Sequence, residues 1–115
     1  MLEINYSGSS LDLRELAALP KLAVLNLAGC RRQATLSGIG ECRSLAELSL
    51  DDCGKIESLR PVSGTALTRL YLGGDTTILD GQLSFLRDLT SLRFADFIDS
   101  NHYDVRSREL PHLLG

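Results

Sequence analysis

A pattern of leucines recurs along this chain at nearly regular intervals. Its clearest copy, residues 45–53, reads Leu-Ala-Glu-Leu-Ser-Leu-Asp-Asp-Cys, with one apolar residue, two others and then Leu-x-Leu. Further copies begin at Leu22, Leu67 and Leu92, so the steps are 23, 22 and 25 residues, and a degraded copy opens the chain. Self-similarity at a period of roughly 20 to 50 residues indicates stacked units, each of which buries its leucines against its neighbours.

A second spacing lies between the Leu-x-Leu segments, where apolar residues fall at steps of three. Such steps predict tight helical or 3₁₀ segments, whereas Leu-x-Leu alternation predicts short strands. The two patterns stay in phase through four units, and this agreement strengthens both predictions. The rows of apolar residues are Leu13, Leu16, Leu19 and Leu22; Leu36, Ile39, Cys42 and Leu45; Ile56, Leu59 and Val62; and Leu83, Leu86, Leu89 and Leu92.

Residues 16–22 and 55–62 resemble the short leucine-rich repeats with 3₁₀ outer sides that occur in phosphatase regulators and bacterial internalins. The resemblance covers nearly the whole chain. It implies an α/β solenoid, a right-handed coil with a short parallel sheet on its concave face and 3₁₀ turns or a short helix on its convex side. Residues 1–115 would form a single leucine-rich-repeat domain of about four repeats plus a partial one.

The residue three places after the second strand leucine is Cys30, Cys53, Asp75 and Ser100 in successive units. In leucine-rich repeats this position is usually Asn or Cys, which turns inward and bonds backbone groups left unpaired where the strand ends. We therefore expect structural cysteines. A disulfide between Cys30 and Cys53 is geometrically conceivable in stacked strands, but reduced thiols are favoured. The cysteines lack metal-ligand spacing, so no metal site is expected.

The charge balance excludes several classes of function. A net charge of -3 and a pI near 5.3 argue against general nucleic-acid binding, which requires a basic surface, and are compatible with a partner that carries a basic patch. No apolar run reaches the ~18 residues of a membrane helix, and the first residues do not form a secretion signal. We expect a cytoplasmic protein without membrane contact.

The sequence offers little that could support catalysis. Its two histidines, His102 and His112, have no nucleophile or carboxylate at a motif spacing and are expected at the surface. We therefore expect no enzyme, no catalytic residue and no cofactor.

The residues between the inward-facing leucines should form a small grid on the opposite face of the sheet. Aromatic residues and arginine often dominate binding energy, and Arg69 and Tyr71 lie on the same predicted strand. The grid either binds a protein or is a solvated face with cross-strand pairs, and Phe94 and Ile98 are either exposed or covered by the C-terminal tail. The candidate partner-binding residues are Asn26, Glu47, Ser49, Asp51, Arg69, Tyr71, Phe94, Asp96 and Ile98.

The two ends of the chain raise alternatives. The chain opens with a predicted strand, and residues 110–115 echo residues 19–22, as though another unit were beginning. Open ends of a repeat array would expose leucines and a strand edge. Either the chain is a fragment of a longer array, or its ends are covered by self-association or by a larger assembly. A third possibility is a capping helix over residues 104–110 with Asp104 as its N-cap.

We expect a non-enzymatic protein-interaction module that serves as part of a scaffold or regulator and binds through its concave strands. The alternatives are a structural subunit that contacts its neighbours through its end units or convex side, and part of a surface antigen or adhesion protein.

Overall fold

Five parallel strands form the main sheet in a computed structural model that describes residues 2–8, 12–19, 21–33 and 35–110. The strands are β1 (Leu2–Ser7), β2 (Leu22–Ala28), β3 (Glu47–Asp51), β4 (Lys55–Ile56), β5 (Arg69–Gly73), β6 (Thr77–Ile78) and β7 (Phe94–Phe97). The main sheet has the order β1-β2-β3-β5-β7, which follows the chain order without β4 and β6.

The register of the main sheet aligns the Leu-x-Leu residues in rows. Leu25 lies beside Leu48, Leu48 beside Leu70, and Leu70 beside Ala95, and all four are buried. Because side chains alternate along a strand, this row faces the core while the residues between face the other way. The predicted strands and their buried faces are therefore confirmed.

The sequence predicts that Ile4 and either Leu2 or Tyr6 face inward in the first strand, and the structure decides between these two residues. Ile4 and Tyr6 pair with Leu25 and Leu27 and pack against the core, whereas Leu2 is exposed. Tyr6, rather than Leu2, is thus the second inward residue of β1.

Short 3₁₀ helices occupy the stretches where apolar residues fall at steps of three. They are η1 (Leu13–Ala18), η2 (Ile39–Glu41), η3 (Arg60–Gly64), η4 (Ser84–Asp88) and η5 (Ser107–Glu109). Their inward residues, including Leu13, Ile39, Val62 and Leu86, join the strand leucines in one core cluster. Cys42 is buried with them, as its place in the row predicts. The part of the chain that the structure describes has no helix long and apolar enough to cross a membrane.

A second, two-stranded parallel sheet pairs β4 with β6. Neither of the two spacings in the sequence predicts this second sheet. Ile56 and Ile78 pair within it and are both fully buried, which explains why an extended conformation is favoured for so short a segment.

Cys30 and Cys53 occupy the inward positions that the repeat pattern assigns to them. Both are fully buried, and Cys53 Sγ lies 3.5 Å from the carbonyl oxygens of Leu27 and Asp51, to either of which its single proton can be donated. The sulfur therefore contacts backbone groups of two adjacent strands. All three cysteines are free thiols.

The predicted inward role of Asp75 is wrong, because Thr76 takes that place. Thr76 is buried, and its Oγ1 accepts a hydrogen bond from the Cys53 backbone nitrogen at 2.9 Å. Asp75 is exposed, pairs with Arg31 and accepts from the Gly54 nitrogen. The hydrogen bond from Arg31 helps to hold the pKa of Asp75 below its ordinary value. An exposed position satisfies a carboxylate that would lack donors in the core.

The inward role predicted for Ser100 is also wrong. Ser100 Oγ lies 2.8 Å from His102 Nδ1, whereas the buried Tyr103 accepts a hydrogen bond from the Ile78 nitrogen at its hydroxyl. A larger side chain thus reaches the backbone from a later position in the sequence.

The segment after β7 packs on the last unit, but not as the predicted helix. Its helical part is only η5, which begins after Arg106, and Asp104 instead accepts hydrogen bonds from the backbone nitrogens of Leu83 and Ser84 at 2.8 Å. Asp104 therefore caps η4, one unit earlier. Residues 111–115, with His112 and the echoed repeat start, lie outside the described residues.

Candidate functional site

A groove of about 500 Å³ crosses the face of the main sheet that points away from the core. We call it the strand-face groove; all five strands of the main sheet contribute to it. Seven of the nine candidate residues line it, namely Asn26, Glu47, Ser49, Arg69, Tyr71, Phe94 and Asp96. The period-two alternation of the strands thus brings together residues that are up to 70 positions apart in the sequence.

Arg69 is held between its two neighbours in the same row. Its Nε lies 3.3 Å from Glu47 Oε1, and its guanidinium carbon lies 5.1 Å from the centre of the Phe94 ring. The register pairs Glu47, Arg69 and Phe94 directly across three strands. Both members of the ion pair are more than 40 % exposed, so it contributes little to stability, at most about 1 kcal/mol. Its main effect is to orient the three side chains.

Tyr71 supplies the largest exposed aromatic surface of the groove, with 42 % of the residue accessible. Its ring extends toward the end of β5 and lies over Gly73. A Cβ at Gly73 would lie 2.5 Å from the Tyr71 hydroxyl oxygen, so only glycine permits this approach. In the same row, Asn26 donates to Asn5 Oδ1 at 2.7 Å, which extends the polar rim onto β1.

Two of the candidate residues lie outside the groove. Asp51 is on the same face at the end of β3, beside Ala28 and Gly73. Ile98 follows the end of β7 and is 69 % exposed, so the described part of the tail does not cover it. Its predicted place on the strand is wrong because β7 ends at Phe97.

Glu3 lines the groove and was not among the predicted residues. Its register partner is Val24, which is buried in the same row. The Leu-x-x-Leu-x-Leu pattern is degraded in the first strand, so the sequence did not fix which of its residues face outward. The alternation of Ile4 and Tyr6 inward was the signal that could have placed Glu3.

A second depression of about 420 Å³ lies beside η1, away from the strand-face groove. Arg14 and Arg32 both line it, but Arg14 binds Asp12 with a nitrogen-to-oxygen distance of 3.2 Å. Hydrogen bonds from Arg14 hold the pKa of Asp12 below its ordinary value. Arg32, the other arginine of this depression, has no ion pair among the described residues.

The side chains that could bind a metal ion are scattered over the described residues. No group of three or more His, Cys, Asp or Glu residues there could hold a metal ion. His102 is exposed, and its Nε2 lies 2.8 Å from the Ile78 carbonyl oxygen, so both ring nitrogens have partners. The arrangement in the groove offers shape, charge and aromatic surface.

Comparison with known proteins finds no match: no family model, no curated protein and no solved structure is significantly similar to this chain.

Proposed function

We propose that the chain is a right-handed solenoid of leucine-rich-repeat type and acts, without catalysis, as a protein-binding module. Three features of the fold support the solenoid. Successive strands lie side by side in chain order, 3₁₀ helices alternate with them, and the buried residues of both share one core. Each unit of such an array contacts only its neighbours, which leaves one continuous strand face available to a ligand.

The strand-face groove is the observation that carries the proposed function. Arg69, Tyr71 and Phe94 lie on two adjacent strands within it, and arginine and aromatic residues are enriched at the centres of protein interfaces. The contacts of Arg69 with Glu47 and Phe94 orient two members of this cluster, Arg69 and Phe94, before any partner arrives, which reduces the entropy lost on binding.

A comparative capture experiment tests this proposal. The purified chain is immobilised and exposed to an extract of its source cells, and bound proteins are quantified by mass spectrometry. The groove variant Glu47→Ala/Arg69→Ala/Tyr71→Ala should lose the specific partner, because it removes Arg69, Tyr71 and the ion-pair partner of Arg69 while leaving the core leucines untouched.

The matched control is Glu57→Ala/Arg60→Ala/Leu79→Ala, which removes one acid, one arginine and one large apolar side chain that are exposed outside the groove. Arg60 also lies 5.1 Å from an aromatic ring, that of Phe85, so the control removes an equivalent cation–π contact. A protein retained by the wild type and the control but lost by the groove variant supports the proposal. Equal retention by the wild type, the groove variant and the control contradicts the proposal, provided that circular dichroism shows the same fold for all three.

A second candidate is a structural subunit that associates through its end strands. β1 forms one edge of the main sheet, and Leu2 on that strand is 37 % exposed. Exposed strand edges favour pairing with another chain. Light scattering across a range of concentrations checks this: a mass that rises with concentration, and falls again in Leu2→Lys, supports end-to-end association, whereas a constant monomer mass excludes it.

A further inference from the structure

The charges of the strand-face groove are unequal, and this inequality indicates the chemistry of a ligand. Three carboxylates line the groove, those of Glu3, Glu47 and Asp96, against one guanidinium, that of Arg69. Arg69 is already paired with Glu47. The remaining uncompensated charge in the groove is therefore negative.

Glu3 and Asp96 lie at opposite ends of the groove. Glu3 is on β1 and Asp96 on β7, the two edge strands of the main sheet. Neither has an ion-pair partner among the described residues; Glu3 accepts one hydrogen bond from Asn5 Nδ2. A ligand with two separated positive charges would meet both carboxylates at once.

The separation of these carboxylates sets the length of such a ligand. Four strand spacings of about 4.8 Å separate β1 from β7, and Asp96 lies two register positions further along the strands than Glu3, so the diagonal span is about 20 Å. An extended peptide rises about 3.3 Å per residue, so it crosses that span in about six residues. Residues six apart in an extended chain point to the same side. Two basic residues at i and i+6 would therefore face the two carboxylates together.

Tyr71 adds a third point to this pattern. It lies on β5, one strand from Asp96, and its register partner on β7 is Asp96 itself. One strand spacing corresponds to between one and two residues of extended peptide, and the nearest residue that faces the groove is two positions from the basic one. An apolar side chain at that position would pack on the exposed Tyr71 ring.

We propose that the strand-face groove binds an extended, basic segment of a partner protein, with two Lys or Arg residues about six positions apart and an apolar residue two positions from one of them. This inference rests on the proposed function and specifies its ligand. The complementary charges raise the association rate and make binding sensitive to salt.

Selection from a library of random twelve-residue peptides displayed on phage, with the full chain as the target, tests the inference. Synthetic copies of the selected peptides are then measured by fluorescence anisotropy. We expect two basic residues about six apart, at least a threefold loss of affinity in Asp96→Asn or Glu3→Gln, and weaker binding as salt is raised. The matched controls Asp88→Asn and Glu57→Gln alter exposed carboxylates outside the groove and should bind as the wild type does.

Other results overturn the inference and separate it from the proposed function. Selected peptides that lack basic residues, yet lose binding in Tyr71→Ala, would show that the groove binds proteins of another chemistry. Basic peptides that bind Asp96→Asn and Asp88→Asn equally would show non-specific attraction to an acidic protein. The inference is also overturned if Tyr71→Ala changes the affinity of none of the selected peptides. The proposed function is decided separately, by the capture experiment.

Discussion

Thr76 Oγ1 lies 2.9 Å from the backbone nitrogen of Cys53, and through this contact one hydroxyl joins two successive units. The same oxygen donates to the carbonyl oxygen of Leu50 at 3.0 Å. A hydroxyl can donate and accept at once, so Thr76 hydrogen-bonds two backbone groups at the end of β3.

Replacing Thr76 by valine should therefore destabilise the protein despite the similar shape of the two side chains. Thr76→Val leaves the Cys53 nitrogen and the Leu50 carbonyl without these partners, at a cost of about 1 to 3 kcal/mol in the free energy of unfolding. Urea denaturation measures this change. Thr76→Ser, which keeps the hydroxyl, should lose less, and Thr77→Val, whose hydroxyl donates to the Asp75 carbonyl near the surface, should lose least. Equal stability of Thr76→Val and the wild type would contradict the assigned role.

The cap that Asp104 provides should make part of the stability depend on pH. Burial raises the pKa of Asp104, but hydrogen bonds from Leu83 and Ser84 outweigh it, so the pKa lies below its ordinary value of 3.8. A lowered pKa in the folded state means that the contribution is present above the unfolded value and is lost as pH falls through the folded value. Asp104→Asn should thus lose stability at neutral pH and show a shallower decline below about pH 4.

Urea midpoints recorded at several pH values from neutral to acidic check this prediction. Asp12 and Asp75 also have lowered pKa values, so the wild-type decline will not vanish entirely in the variant. Asp88→Asn, an exposed change on η4 itself, should retain the wild-type slope. Parallel curves for Asp104→Asn and the wild type would rule out the cap as a pH-dependent contact.

The buried cysteines should react slowly with thiol reagents in the folded protein. Burial raises the pKa of both Cys42 and Cys53, and the thiolate is the reactive form. We expect no rapid reaction with a disulfide reagent such as DTNB at neutral pH, and release of three equivalents after unfolding in urea, in keeping with the three free thiols. A fast-reacting equivalent in the native protein would mean that the packing of η2 or the ends of β2 and β3 open readily.

Glycines that follow two of the strands should differ in how they tolerate alanine. Gly29 has φ 71° and an added Cβ would meet no atom within 4 Å, so Gly29→Ala carries only the backbone cost of the left-handed region, about 1 kcal/mol. Gly74 has φ 60°, and a Cβ there would collide with the Asp52 carboxylate, so Gly74→Ala should be more destabilising. Thermal unfolding of the two variants measures the difference, and the reverse order would contradict it.

The sequence predicted the elements that depend on repetition and missed those that depend on one contact. Leu48 and Leu70 mark their strands because alternation and burial impose the same spacing in every unit. Thr76 and Asp75 are adjacent polar residues after an irregular Gly-Gly turn, and only the donor and acceptor needs of the backbone decide between them. From the sequence alone, Asp104 could cap the start of any nearby helix. It caps η4 because the segment after β7 packs beside the start of that helix.

The candidate site divides in the same way. Glu47, Arg69 and Tyr71 were predicted to share a face, and they do, because strand periodicity alone decides it. Glu3 was omitted from the candidate site because the repeat pattern is degraded in β1. Ile98 was placed on a strand because the repeat period does not show that β7 ends at Phe97.

The order of the strands in the main sheet also governs how the protein would yield to mechanical force. Each strand of the main sheet pairs only with its immediate neighbours in the order, and β1 and β7 are the two edge strands. Tension applied between the two ends of the chain would detach outer strands one at a time, so rupture forces would be low and the extension would advance in steps of about one unit.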